Sequence, residues 1–286
     1  LTMMASHNAA EGTATSYSLL DIVSTMAWGL GYFGMPHILL RFMAIGDEKK
    51  LKLSRRVASV WVTVAMALAV LIGIVGKALS GIGAIAPLEG SNTETVIIRI
   101  AELLAKGGIF PALMAGLILA GILASTMSTA DSQLLAASSS VSQNLLQEAF
   151  RFKLSQKQSM LAARLTVIAI AILGIFIAKD PNSSIFGIVS FAWAGFGAGF
   201  GPLVICALYW KRTTFAGAVS GMAAGGVMVF LWKYLIKPLG GIFGIYELLP
   251  AFLVGLLVIV VVSLLTKAPD ESVCAEFDAA RAEHTL

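Results

Sequence analysis

Ser125, Ser128 and Thr129 stand in a stretch that carries no charge between Lys106 and Asp131, long enough to cross a bilayer as a helix. In a helix, the Ser128 (i+3) and Thr129 (i+4) hydroxyls lie one turn beyond Ser125 and can converge on its carbonyl. Three hard oxygens in a small arc, deep in a membrane, make half of a cage for a cation such as Na⁺. The competing use of these side chains is back-bonding to the preceding turn, which is common for Ser and Thr in membrane helices.

A second group occupies residues 28–37, where Gly29, Gly31, Gly34 and Pro36 crowd between Trp28 and His37. Each Gly weakens a helix, and Pro36 removes a donor and clashes with the turn before it. A break at membrane depth is tolerated only where protein or a water-filled cavity satisfies the freed backbone groups. Interrupted spans of this kind point to the substrate sites of transporters. With Trp28 and Tyr32 flanking the break, residues 29–36 are expected to depart from regular helix beside a cavity; the alternative is a packing kink at a helix crossing. His37 has no second ligand in view and reads as a hydrogen-bonded structural residue.

The composition says what must position these groups. A hydrophobic content of 58%, a mean hydropathy of +0.87 and only 13% charged residues exclude an ordinary soluble domain. The net charge of +4 is no nucleic-acid signal, because the basic residues sit in short segments between apolar runs. Cys206 and Cys274 share no metal-ligand spacing and imply no disulfide framework. No signal peptide is visible, and the start at Leu1 in a polar stretch reads as the middle of a loop, so a fragment of a longer chain is expected.

Seven runs are candidate spans: 18–42, 57–78, 108–130, 158–178, 184–210, 213–236 and 246–266. The fourth is the weakest, because Arg164 must snorkel to the near surface. Basic residues concentrate on alternate connections, with Arg41 to Arg56, Arg151 to Arg164, Lys211 and Arg212, and Lys267 and Arg281 on one side. The positive-inside rule puts that side in the cytoplasm, with the N-terminus outside and the C-terminus inside a cell membrane.

Within the long connection 79–107, residues 93–105 have helical periodicity and predict a helix along the outer surface. Past Thr129 the third run turns amphipathic as far as Gln147 and continues into the cytoplasm. Asp131 reads equally as a buried functional carboxylate or a cytoplasm-facing one. Asp180 to Ser183 is a turn with helix-start chemistry. The glycines of 191–202 and the small-xxx-small pattern of 216–226 predict close helix packing. The tail, 267–286, is too short for a soluble effector domain.

Residues 28–43, the Met-Ser-Thr-x-x-Ser-Gln-Leu-Leu stretch at 127–135 and the Gly-rich 192–202 resemble the sodium/solute symporter family. Residues 28–43 are closest to its proline-carrying branch. The resemblance implies an all-α membrane protein with a LeuT-type fold of two inverted five-helix repeats. Residues 1–212 would be the second repeat, 213–266 two additional helices and 267–286 a short cytoplasmic tail. It implies sodium ligands at the Ser125 carbonyl and the Ser128 and Thr129 hydroxyls, and a substrate site at Trp28, Tyr32, Gly34 and Pro36. Ser125 stands where the family pattern leads us to expect Ala, harmless if only the carbonyl is used. Met35 stands where some relatives carry Gln, which bears on fine specificity. The first repeat, with the remaining ligands, would lie outside this chain.

The implied function is sodium-coupled import of a small amino acid, L-proline first among them, with no cofactor beyond Na⁺ as coupling ion and no nucleic-acid partner. A relative carrying another small organic solute, or a transporter-like nutrient sensor, is the alternative; a sensor should bring a cytoplasmic module, and the short tail offers none. A membrane enzyme should cluster His, Cys or acidic residues at membrane depth, which three scattered histidines do not supply.

Overall fold

The computed structural model describes residues 5–8, 13–47, 49–179 and 184–283. In chain order the elements are β1 (Ala5–Asn8), β2 (Thr13–Ser16), α1 (Leu19–Met26), α2 (Pro36–Met43), α3 (Lys50–Gly81), α4 (Val96–Ala105) and α5 (Ile109–Ser139). They continue with α6 (Gln156–Ala178), α7 (Ile185–Tyr209), α8 (Phe215–Leu231), α9 (Leu248–Leu265) and α10 (Glu271–Glu283). Among the described residues the fold is helical apart from one strand pair: β1 and β2 run antiparallel, Ala5 opposite Ser16.

Among the described residues six helices, not seven, are long and apolar enough to cross a membrane. The difference lies in the first run. There α1 and α2 have eight residues each and are separated by a 3₁₀ segment, Ala27–Gly34, and an extended Met35. The turn expected at 180–183 lies outside the described residues.

The chain forms two compact units, one of residues 45–185 and one of 1–44 with 186–286. In the first, α3 and α6 leave their apolar side chains exposed along most of their length, as helices facing lipid do. The 3₁₀ turn Gly90–Thr95 leads into α4, whose Val96 sits against Gly76 of α3 so closely that no Cβ fits there. Gly108, at φ 111°, makes the left-handed turn from α4 into α5 that a side chain would resist. Beyond Ser139 the helix widens into a π-helical stretch, Ser140–Ala149. Gln147 Nε2 fastens that stretch by donating to the Ser142 carbonyl at 3.1 Å and the Ser159 hydroxyl at 2.9 Å. A capping box of Ser155 and Gln158 then starts α6.

The second unit is the more tightly packed. Its core joins Ala194 and Ala198 of α7, Val229 of α8, and Leu248, Ala251 and Phe252 of α9. Lipid is as apolar as these side chains, so close van der Waals contact must hold the helices together. Gly217, Gly221 and Gly225 supply it: all are buried, and a Cβ on them would strike Ser263, Ile259 and the Ala198 carbonyl respectively. At one end of the α8–α9 pair a polar knot closes the contact. Thr214 caps α8 by accepting from Gly217 N at 3.1 Å, while its own N–H donates to Ser263 Oγ at 3.1 Å. Arg212 Nη2 donates to the Thr266 carbonyl at 2.7 Å.

Candidate functional site

The broken helix is built by its own residue types. Three glycines in eight residues weaken the α-helix over 27–34, and the chain tightens into 3₁₀ turns. Met35, extended at φ −78° and ψ 112°, takes the conformation that the residue before a proline prefers, and Pro36 opens α2 at its first position.

Breaking a helix frees carbonyls, and those shielded from water need partners. The Trp28 carbonyl has one: Trp193 Nε1 on α7 donates to it at 3.0 Å. Gly31 lies under the Trp193 ring, where a Cβ would collide with the indole. Gly34 is buried against α7, where a Cβ would stand 2.9 Å from both Gly197 Cα and Gly201 N. The glycines of the break and those of α7 are therefore matched, and the close approach needs both.

The aromatic residues make a wall beside the break. Trp28 stacks on Trp193 (ring centroids 5.3 Å, 15° between planes), on Phe186 (5.4 Å, 14°) and on Tyr246 (6.0 Å, 17°). Tyr32 meets Trp193 edge-on at 4.8 Å and remains 52% exposed. Trp28 and Pro36 are half-buried.

Trp28 also lines a cavity of about 520 Å³, together with Ser24, Phe186, Ser190, Tyr246 and a charged group of Lys233, Lys237 and Glu247. Tyr246 fixes one side of it: its N–H donates to Ser24 Oγ at 2.7 Å and its hydroxyl to the Ser190 carbonyl at 2.5 Å. Glu247 is only 2% exposed and takes a hydrogen bond from Lys237 Nζ at 2.8 Å. Sequence reasoning missed Trp193, Tyr246, Lys233, Lys237 and Glu247. The only signal was the placing of Lys233, Lys237 and Glu247 within a few residues of otherwise apolar runs.

The hydroxyl group of α5 belongs to the other unit. Thr129 Oγ1 donates to the Ser125 carbonyl at 3.1 Å, which is the back-bonding geometry and also places two of the three candidate oxygens side by side. The same pattern recurs at Thr126 to Ile122 (2.9 Å) and Ser132 to Ser128 (3.0 Å), so a hydroxyl ladder runs along the helix. Ser125, Ser128 and Thr129 are all exposed, leaving their oxygens open to a further ligand. Asp131 is likewise exposed. Among the described residues no three His, Cys, Asp or Glu side chains group as a metal site.

A family model described as the sodium:solute symporter family matches residues 3–225. The chain belongs to that family. The family member is 44% identical over 260 residues to the sodium/proline symporter of Staphylococcus aureus, and equally so to those of its strains USA300 and Newman. The match covers 88% of this chain and 49% of each relative, so the chain spans about half the length of the proteins it resembles. No solved structure matches it at a significant level.

Proposed function

We propose that this chain is part of a sodium-coupled secondary transporter that carries a small amino acid, L-proline first, across a cell membrane. Family membership supports coupled solute transport as the class, and the name of the relatives supports sodium and proline as coupling ion and substrate. The observation that carries the reading is the 3₁₀ break at 27–34, stabilised by Trp193 and walled by Trp28 and Tyr32. In this reading Trp28, Tyr32, Gly34 and Pro36 contact the substrate. The Ser125 carbonyl with the Ser128 and Thr129 hydroxyls holds Na⁺. A LeuT-type pair of inverted repeats would supply the remaining wall of each site, this chain contributing one repeat and two further helices, with its C-terminus in the cytoplasm.

Coupling then follows from linkage. Na⁺ that binds the outward-open form more tightly raises the apparent affinity for substrate, and substrate raises that for Na⁺ by the same factor. An inward-negative potential of about 100 mV adds roughly 2.3 kcal/mol per Na⁺ carried in. The chain performs no covalent chemistry in this scheme and needs no cofactor.

The test is uptake of labelled L-proline into liposomes by the natural protein that carries this chain, with inward Na⁺ and K⁺ gradients compared. Uptake driven by Na⁺ alone and competed by unlabelled proline is the expected result. Proline uptake indifferent to the cation, or no proline uptake by active protein, overturns the proposal.

A further inference from the structure

The start of α3 carries charge of the sign that its own helix opposes. Lys49, Lys50, Lys52, Arg55 and Arg56 occupy its N-cap and first two turns, all exposed, and those turns hold no acidic residue. The N-terminus of a helix bears the positive end of its dipole, so cations there repel both the dipole and one another. Asp47 and Glu48 stand just before the cluster. Asp47 serves the backbone, its Oδ1 accepting from the Lys49 N–H at 3.0 Å. Among the described residues none of the five basic side chains forms an ion pair. Negative charge from outside the helix would offset that repulsion.

Depth decides the kind of partner. Between Arg56 and Lys77 the helix carries no charge over about 30 Å, the thickness of a bilayer's hydrocarbon core. The basic turns therefore stand at head-group depth on one side. Trp61, 72% exposed, lies just inside them, where membrane tryptophans gather. By helical spacing Lys49, Lys52 and Arg56 (i, i+3, i+7) share a face with Arg55. The connection from α5 to α6 returns to the same side once α3 and α5 have each crossed. It adds Arg151, Lys153 and Lys157, exposed like the first group, against Glu148. A guanidinium fork fits phosphate oxygens, and Val57, Val60 and Val64, each half exposed or more, continue α3 as an apolar surface. Phosphate at one end and hydrocarbon at the other describe a phospholipid.

We propose that the first two turns of α3 bind anionic phospholipid, with Lys52, Arg55 and Arg56 taking the phosphate and Val57, Val60 and Val64 lying against the acyl chain. A zwitterionic lipid is the weaker ligand, because its own ammonium offsets its phosphate and repels the same cations. The attraction is electrostatic at the surface and falls as salt rises.

The test uses the natural protein carrying this chain in bilayers of phosphatidylcholine. Each bilayer holds a trace of phosphatidylglycerol or phosphatidylcholine with the same photoreactive group near its head, and the labelled residues are mapped. The expected result is labelling of residues 49–64 by the phosphatidylglycerol probe well above that by the phosphatidylcholine probe, and weaker at high salt. The triple variant Lys52→Gln, Arg55→Gln, Arg56→Gln should lose roughly tenfold or more of that labelling, and Arg55→Gln or Arg56→Gln alone several-fold. Lys52→Arg with Arg55→Lys and Arg56→Lys should keep most of it. In neutral detergent, where no lipid anion is present, the triple Gln variant should melt at or above the wild-type midpoint, because cations opposing the helix dipole are gone. Equal labelling by the two probes, or single Gln variants labelled as strongly as wild type, overturns the proposal. Competition by soluble glycerol phosphate at matched ionic strength makes the occupant a soluble phosphate and overturns it as well. A triple Gln variant that fails to fold, or that melts below wild type in detergent, shows a carboxylate of the protein as the partner instead.

Discussion

Trp193 donates its indole N–H to the carbonyl of Trp28 at 3.0 Å while its ring stacks on the Trp28 ring at 5.3 Å. One side chain of α7 thus satisfies a carbonyl of the broken helix and sets the plane of the aromatic residue beside it. Replacing Trp193 with Phe keeps an aromatic face but removes the donor. We expect a loss of about 1 kcal/mol for removing the donor to this part-buried carbonyl, read as a lowered thermal midpoint in detergent. Gly31→Ala should cost more, since its methyl enters the space of the Trp193 ring.

The hydroxyls of α5 give a separable prediction. Ser128→Ala or Thr129→Ala in the natural protein should lower apparent Na⁺ affinity roughly 5- to 150-fold, the effect of losing one hydrogen-bond-strength contact to a charge. Uptake should recover, at least partly, at high Na⁺. The Thr129 bond to the Ser125 carbonyl is local and exposed, so its loss should leave the thermal midpoint nearly unchanged. Superimposable uptake curves against Na⁺ for mutant and wild type would remove these residues from the ion site.

Packing of α8 on α9 depends on absent side chains. Gly221→Val places a branched side chain where Ile259 and the Gly255 carbonyl already stand, and should destabilise the pair by about 1–3 kcal/mol or more. Gly226→Ala, five residues along and facing open space, should be neutral or slightly stabilising. Equal melting of the two variants would contradict the packing described.

Lys211 and Asp278 pair across the connection to α10, and the hydrogen bond that the Lys211 ammonium donates to the Asp278 carboxylate holds that ammonium above its ordinary pKa of 10.5. A lysine whose pKa rises on folding contributes stability that is fully present below that ordinary value and lost as pH rises through the raised one. Both groups are exposed, so the contribution is small and screened by salt. Proteolysis within α10 should therefore be flat from pH 6 to 9, faster above about pH 10.5, and faster in Asp278→Asn at neutral pH and low salt. Identical cleavage of Asp278→Asn and wild type at low salt would show that other contacts hold α10.

What the sequence determined by itself was local. Charge-free runs of spanning length, the helix-weakening cluster of Gly29, Gly31, Gly34 and Pro36, and the i, i+3, i+4 spacing of Ser125, Ser128 and Thr129 all act within a few turns of helix. Backbone geometry alone connects them to spans, to a break and to the Thr129 hydroxyl on the Ser125 carbonyl. At the first run the expected break is there: its glycines and proline divide the apolar stretch into two eight-residue helices with a 3₁₀ segment between them.

Tertiary structure decided what the break touches. Trp193 meets Trp28 across 165 residues and Tyr246 meets Ser24 across 222, separations at which periodicity carries no information. The pairing of Lys237 with Glu247 spans only ten residues, yet it too was illegible. Whether a lysine near a helix end reaches water or a buried carboxylate depends on where the connection after α8 folds back. Tyr246 sets that fold by anchoring to Ser24 and Ser190. The pairing of both Lys233 and Lys237 with the one buried carboxylate of Glu247 therefore exists only once the chain has packed.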